Sequence, residues 1–245
     1  MKKLLFLPIF MIFTIQAMSP DNKVMFNGKE YHSIDLSLFD HVNDDNVELI
    51  DKLIKNGADI NAIGMNRISL VMQMTMQGRK KVVDRLIELG VRLNDPDPEG
   101  NTLLMFNPTG PNAFLLTYVM KLDINTVEKL IKAGANVNAQ NKAGNTPLTH
   151  AVFKVNLELV KLFVKYGADI DHKNLDGKSA IDITKENHYK EIAEFLEKTR
   201  SENVEKRKRR IQEEVRKYIS TGSYGPLQYV LEYAEEYVPE LQVIL

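Results

Sequence analysis

The chain has 245 residues, with 32 Lys and Arg against 33 Asp and Glu, a formal net charge of −1 and 44% hydrophobic residues. That balance gives no global attraction to nucleic acid or to an acidic surface, and the apolar content suffices for a packed core, which argues against global disorder. There is no cysteine, which excludes disulfides, thiolate metal sites, cysteine nucleophiles and a lipid-modified N-terminal cysteine.

Residues 1–17, MKKLLFLPIFMIFTIQA, begin with Lys2 and Lys3, continue as an apolar run from Leu4 to Ile15 interrupted by Pro8, and end on Ala17. The run falls short of the ~20 residues a spanning helix needs, so it predicts a secretory signal peptide cleaved after Ala17 rather than a retained anchor. Cleavage leaves 30 basic against 33 acidic residues and no other stretch long and apolar enough to span a bilayer. The expectation is an exported protein, periplasmic or secreted, with no membrane contact after cleavage. In the leader at 18–31, Asn27-Gly28 within VMFNGKEYH signals a type I′ hairpin. A small ribbon over the first unit and a disordered leader both fit.

From residue 32 the sequence repeats itself. NGADI (56–60), AGANV (133–137) and YGADI (166–170) are near-copies, with a weaker LGVRL (89–93), and their glycines Gly57, Gly90, Gly134 and Gly167 are spaced by 33, 44 and 33 residues. Two equal spacings and one longer by 11 indicate an internal repeat with an insertion, the signature of a solenoid. The clearest copy is Asn141 to Lys173. Gly144 suits a tight turn, Thr146 an N-cap and Pro147 the first helical position. Leu148, Ala151 and Val152 make one buried face. A second helix follows, with Leu157, Val160, Leu162, Phe163 and Val164 inward and Glu158, Lys161 and Lys165 between them. Gly167 ends it. The unit is helix, loop, helix and extended finger. Neither helix buries its apolar face alone, so stacking of units is required.

GNTPLTHAV followed by GADI resembles the ankyrin repeat. GKSAIDIT (177–184) with HYKEIAEFLEK (188–198) resembles a closing unit, and NVELIDKLIKNGADINA (46–62) the second half of an opening one. The resemblance covers roughly residues 32–199. It implies an all-α solenoid of helix-loop-helix units with short β-hairpin-like fingers, in about five units at 32–62, 63–95, 96–139, 140–172 and 173–199. Two units depart from the pattern. In the second, Asn66 stands where the turn glycine is expected, Ile68 and Ser69 replace Thr-Pro, Gln73 and Met74 replace small residues, and one extra residue precedes Gly78. In the third, GNTLLM (100–105) runs into FNPTGPN (106–112), whose prolines break the helix; the 11 extra residues form either a helix bulge or an enlarged finger.

After Thr199 the pattern changes. Residues 201–217 hold seven basic and four acidic side chains, including KRKRR (206–210), whereas 218–245 hold only the acids Glu232, Glu235, Glu236 and Glu240. Apolar stripes on both halves around STGSYGP (220–226) predict a C-terminal helical hairpin over 200–245, capping the array or binding a partner. KRKRR also fits nuclear localisation or a nucleic-acid patch; pairing with Glu202, Glu205, Glu213 and Glu214 along the helix is the favoured reading.

No arrangement points to catalysis. His32, His41, His150, His172 and His188 lack metal-ligand spacing, the acidic finger at 95–99 lacks the ligand order of a calcium loop, and no phosphate loop or nucleophile elbow is present. The expectation is a non-enzyme without cofactor or metal, monomeric, whose partner is a protein rather than a small molecule or nucleic acid. The resemblance implies contact through finger tips and the exposed side of first helices. Those positions are Met65, Arg67, Thr75 and Met76 in the second unit, and Asp97, Glu99 and Asn101 with the insertion in the third. In the fourth they are Lys142, Ala143, Asn145, Phe153 and Lys154, with Lys173 beyond. Phe153 is either a binding anchor or half-covered by its neighbour. The alternatives are a secreted effector whose basic C-terminal helix engages nucleic acid or host nuclear import, and a periplasmic inhibitor or immunity-like partner of an enzyme.

Overall fold

The structure, a computed structural model, describes residues 23–26, 29–32, 35, 38, 39, 46–64, 67–105 and 124–221. The signal segment 1–17, the insertion at 106–123 and the second half of the C-terminal hairpin, 222–245, lie outside them. The chain divides into two compact units, residues 1–169 with 173–177, and residues 170–172 with 178–245.

The first unit opens with a two-stranded antiparallel ribbon, β1 (Lys23–Phe26) and β2 (Lys29–His32), in register Val24 to Tyr31 and Phe26 to Lys29. Only Asn27 and Gly28 separate the strands, as the hairpin signal requires. Helices follow in pairs. They are α1 (Val47–Lys55), α2 (Leu70–Met76) with α3 (Lys80–Glu88), the 3-10 turn η1 (Leu103–Met105), α4 (Ile124–Lys132), and α5 (Pro147–Phe153) with α6 (Leu157–Lys165). Within a pair, α2 packs on α3 and α5 on α6; between neighbours, α1 meets α3, α4 meets α6, and η1 touches both α2 and α5. The core runs along the stack: Ile50, Val82, Leu86, Leu130, Leu148, Val152, Val160 and Phe163 are buried.

Local sequence sets each boundary. Thr146 caps α5 with a reciprocal box to Thr149, and Pro147 occupies its first turn. Asn156 Oδ1 caps α6 by accepting from Leu159 N at 3.0 Å. Each second helix ends alike. Ala58, Val91, Ala135 and Ala168 donate their N–H groups back to Leu53, Leu86, Leu130 and Phe163, closing a Schellman turn over the preceding glycine.

Two hydrogen-bond ladders join the units. In the first, the side chain of one finger accepts a backbone N–H of the next at 2.8 Å: Asn61 from Arg92, Asn94 from Asn136, and Asn138 from Asp169; Asp35, a helical residue, accepts likewise from Asp59. In the second, the finger-tip turns stack. Lys142 N donates to Glu99 O at 3.1 Å, and Leu175 N to Ala143 O at 3.0 Å. Asn141 Nδ2 donates to Asn101 Oδ1, and Asn174 Nδ2 to Asn145 Oδ1.

These turns correct the alignment of the second unit. Gly64, Asp97, Asn141 and Asn174 each accept from the residue three later: Arg67, Gly100, Gly144 and Gly177. All four of those residues have positive φ. The left-handed position is therefore Arg67 (φ 63°), not Asn66. Ser69 is the N-cap, its Oγ accepting from Met72 N, and Leu70 takes the place of Pro147. Nine residues separate Ser69 from Gly78, as nine separate Thr146 from Val155, so the unit carries no extra residue.

The second unit holds α7 (Ala180–Glu186), capped by Ser179 and Asp182 reciprocally, and α8 (Lys190–Thr221). Ile181, Ile192 and Leu196 bury the seam between them. Helix α8 continues without interruption past Thr199, because nothing from Lys190 to Thr221 is a helix breaker. From Ser201 to Arg207 every residue is exposed.

Two stability tests follow from the backbone. Gly144 and Gly167 share positive φ, but a Cβ on Gly144 meets Leu175 N at 2.9 Å whereas one on Gly167 meets nothing within 4 Å. Gly167→Ala therefore costs only left-handed strain, about 1 kcal/mol, and Gly144→Ala costs more because the Leu175–Ala143 rung must also shift. Equal shifts in denaturation midpoint would refute the stacked-turn account. Val155 is β-branched at φ 52° and 53% exposed, at the place Gly78 holds in the second unit. Val155→Gly should stabilise the fold by about 1 kcal/mol, raising Tm by about 2–4 °C.

Candidate protein-docking surface

The sequence-predicted contact residues separate by burial. Arg67, Glu99, Lys142, Ala143, Phe153, Lys154 and Lys173 are exposed, and Asp97 and Asn145 half-buried. Thr75, Met76 and Asn101 are 5%, 7% and 7% exposed and take no part in the open surface. The one-residue realignment explains the first of these. Thr75 is the equivalent of buried Val152, and its Oγ1 donates to Val71 O at 2.7 Å. Met76, the equivalent of Phe153, turns inward. Asn101 is covered because its Oδ1 accepts from Asn141 and its Nδ2 donates to Asp97 Oδ2 at 3.0 Å. Met65 lies outside the described residues.

What remains is a contiguous strip running from the finger tips to the end of α5. Leu175 projects from the turn at 174–177 with 79% of its surface exposed, yet its own N–H is fixed to Ala143 O. Ala143 N in turn donates to Asn141 Oδ1, which also accepts from Asn145 N at 2.9 Å. With its oxygen so committed, the Asn141 amide points its nitrogen at Asn101 Oδ1 (2.8 Å) and at His150 Nε2 (3.3 Å). That nitrogen only donates, so Nε2 is the acceptor and the neutral ring carries its proton on Nδ1. The His150 ring meets Phe153 edge-on, with centroids 6.3 Å apart and planes at 87°. Phe153 is 45% exposed at the end of α5, followed by Lys154.

Sequence reading missed Leu175. The signal was available: an isolated leucine between Asn174 and Asp176 in a turn has no apolar periodicity to join. The acidic finger has a structural use instead. Asp97 Oδ1 accepts from Glu99 N and Asn101 N at 2.9 and 2.7 Å, holding its turn closed. Among the described residues no group of three or more His, Cys, Asp or Glu is placed to hold a metal ion.

The row of second helices has different chemistry. Glu128 accepts from the Tyr166 hydroxyl at 2.7 Å and from Lys165 at 2.9 Å. These bonds, the Tyr166 one first, hold its carboxyl down to about 2. On α8, Lys208 pairs with Glu205 at 3.4 Å one turn away, the local pairing expected for the KRKRR segment.

Burial pushes the His150 ring down to about 4, with Lys154 adding to the shift and Asp97 opposing it. The unfolded chain binds a proton near 6.5, so stability is complete above that pH and falls toward pH 4, by no more than about 1.4 kcal/mol per pH unit. His150→Gln should flatten this part of the profile between pH 6.5 and 4 relative to wild type. Urea denaturation at both limits measures it, and an unchanged slope would mean the ring is not sequestered.

No curated protein matches the chain. Residues 115–207 match the family model described as ankyrin repeats (3 copies). The same turn, helix, loop and helix geometry recurs at 64–88, with its second helix in the same row. Ankyrin repeats are generally protein-interaction modules and typically non-catalytic scaffolds. This match and the repeated helix-pair geometry support an ankyrin-repeat protein.

Proposed function

We propose that this protein is an exported binding module, without catalytic activity of its own, that recognises another protein through the strip formed by its finger tips and the end of α5. The strip carries the reading. Phe153 and Leu175 are large apolar side chains left open to water, Phe153 on a helix and Leu175 on a turn whose N–H is held by Ala143 O. Apolar groups presented on preorganised backbone give up little conformational entropy on binding, which is the setting of an interface hot spot. Export rests on the sequence of residues 1–17, whose basic start, short apolar run and Ala17 suit a signal peptidase. The mature chain would then begin at Met18 and meet its partner in the periplasm or outside the cell.

Expression of the whole chain in a bacterial host, followed by mass measurement of the exported product, tests the export step; a product retaining residues 1–17 overturns it. Affinity capture from periplasm and medium tests the surface. Proteins held by wild type should be lost on Phe153→Ala, a change worth about 2 kcal/mol or roughly thirtyfold in Kd. They should be kept by Lys132→Ala on the second-helix row. Equal capture by all three proteins overturns the docking strip.

A further inference from the structure

The cations of the first unit fall into two sets. On the second helices three of them are paired across repeat boundaries: Arg85 with Asp51 at 2.9 Å, Lys129 with Asp84 at 2.7 Å and Lys165 with Glu128 at 2.9 Å. Around the strip they are not. Lys142, Lys154 and Lys173 are all exposed, and among the described residues none has a carboxylate within ion-pair distance. Lys142 stands on the central tip beside Ala143, Lys154 follows Phe153, and Lys173 precedes the turn that carries Leu175. The acids nearby, Glu99 and Asp176, sit on the outer tips and bracket the strip rather than neutralise it.

We infer that the strip takes an acidic segment of a protein partner, with two apolar side chains seated against Phe153 and Leu175 and carboxylates between them facing Lys142, Lys154 and Lys173. This rests on the docking reading above and adds the chemistry of the occupant. Two observations favour a polypeptide over nucleic acid. The strip's ends are apolar, and the acids Glu99 and Asp176 would repel a continuous phosphate backbone, whereas a peptide places its charges discretely. Unpaired exposed lysines cost nothing in the free protein, since water solvates them. On binding they gain partners without first breaking an internal ion pair, and they steer an acidic segment by long-range attraction.

The test pans a displayed library of random linear peptides against the purified full chain at low salt. Enriched peptides should be net acidic with two apolar positions. Charge reversal at the lysines (Lys142→Glu, Lys154→Glu and Lys173→Glu together) should weaken their binding by about tenfold or more, and Glu99→Lys should tighten it. Both effects should shrink at about 0.5 M salt, where the screening length falls to a few ångströms. The triple Lys→Gln variant, with circular dichroism of every protein, separates charge from misfolding and should show an intermediate loss. Neutral or basic peptides that lose binding on Phe153→Ala overturn the acidic partner while leaving the docking strip in place. Peptides indifferent to both Phe153→Ala and Leu175→Ala overturn the strip itself. No enrichment, or tighter binding of a single-stranded oligonucleotide through the same lysines, also overturns the inference.

Discussion

The interaction on which this structure depends is a side-chain oxygen of one finger accepting a backbone N–H from the next. Asn61, Asn94 and Asn138 each make it, at 2.8 Å every time, and Asp35, a helical residue before the first finger, makes the same bond to Asp59. Hydrophobic burial brings the helix pairs together but is nondirectional. It does not by itself fix how far one pair slides along its neighbour. The short polar bond fixes that register. Asn94 and Asn138 tighten it by donating their Nδ2 groups to the carbonyls of Gly134 and Gly167. With the register set, the tip turns superpose, and Gly100 and Gly144 are brought so close to the next finger that no Cβ fits.

The ladder of tips has a beginning, and the reason is chemical. In later units the second residue of each turn donates its N–H to the turn before. In the third unit that residue is Pro98, which has no N–H to give. The amide rung is missing as well, because Asp97 and Ile68 stand where Asn141 and Asn101 stand one step on. Among the described residues, the bond from the finger of the 64–67 turn to its successor is that of Arg92 N to Asn61 Oδ1, below the tip. Stacked tips hold the turns at 97–100, 141–144 and 174–177, which carry Ala143 and Leu175.

Most of the architecture was legible because helix pairs, caps and finger glycines recur at fixed offsets. Thr146-Pro147, Gly167 and the face of Leu148, Ala151 and Val152 behave as their residue types dictate. The second unit was misread by one residue because glycine was taken as the marker of the left-handed position, and here that position holds Arg67. Ser69, an equally good cap, was the better marker. This slip carried Thr75 onto the surface although it aligns with buried Val152; Met76 aligns with exposed Phe153 and is core all the same. Leu175 was passed over for a different reason. Its place outside any apolar stripe was legible, but its fixed presentation comes from the bond of its N–H to Ala143 O, a property of two stacked turns. The continuity of α8 through Thr199 was hidden by the change in composition there, which alters what faces water without disturbing helix propensity.

The two long faces of the array spend their charges differently, and this bears on what each face is for. Along the second helices, Asp51, Asp84 and Glu128 are each answered by a cation of the following unit. Exposed pairs of this kind add little stability singly, but a charge already answered within the array has less to offer a partner. Along the tips the polar side chains that could answer one another, Asn101, Asn141, Asn145 and Asn174, are consumed in holding the turns together. Lysines and apolar groups are what remain outward. A surface whose amides are committed to the scaffold and whose cations and apolar side chains are free has its complementarity directed away from the protein, and its rigidity comes from the same bonds that produced that division.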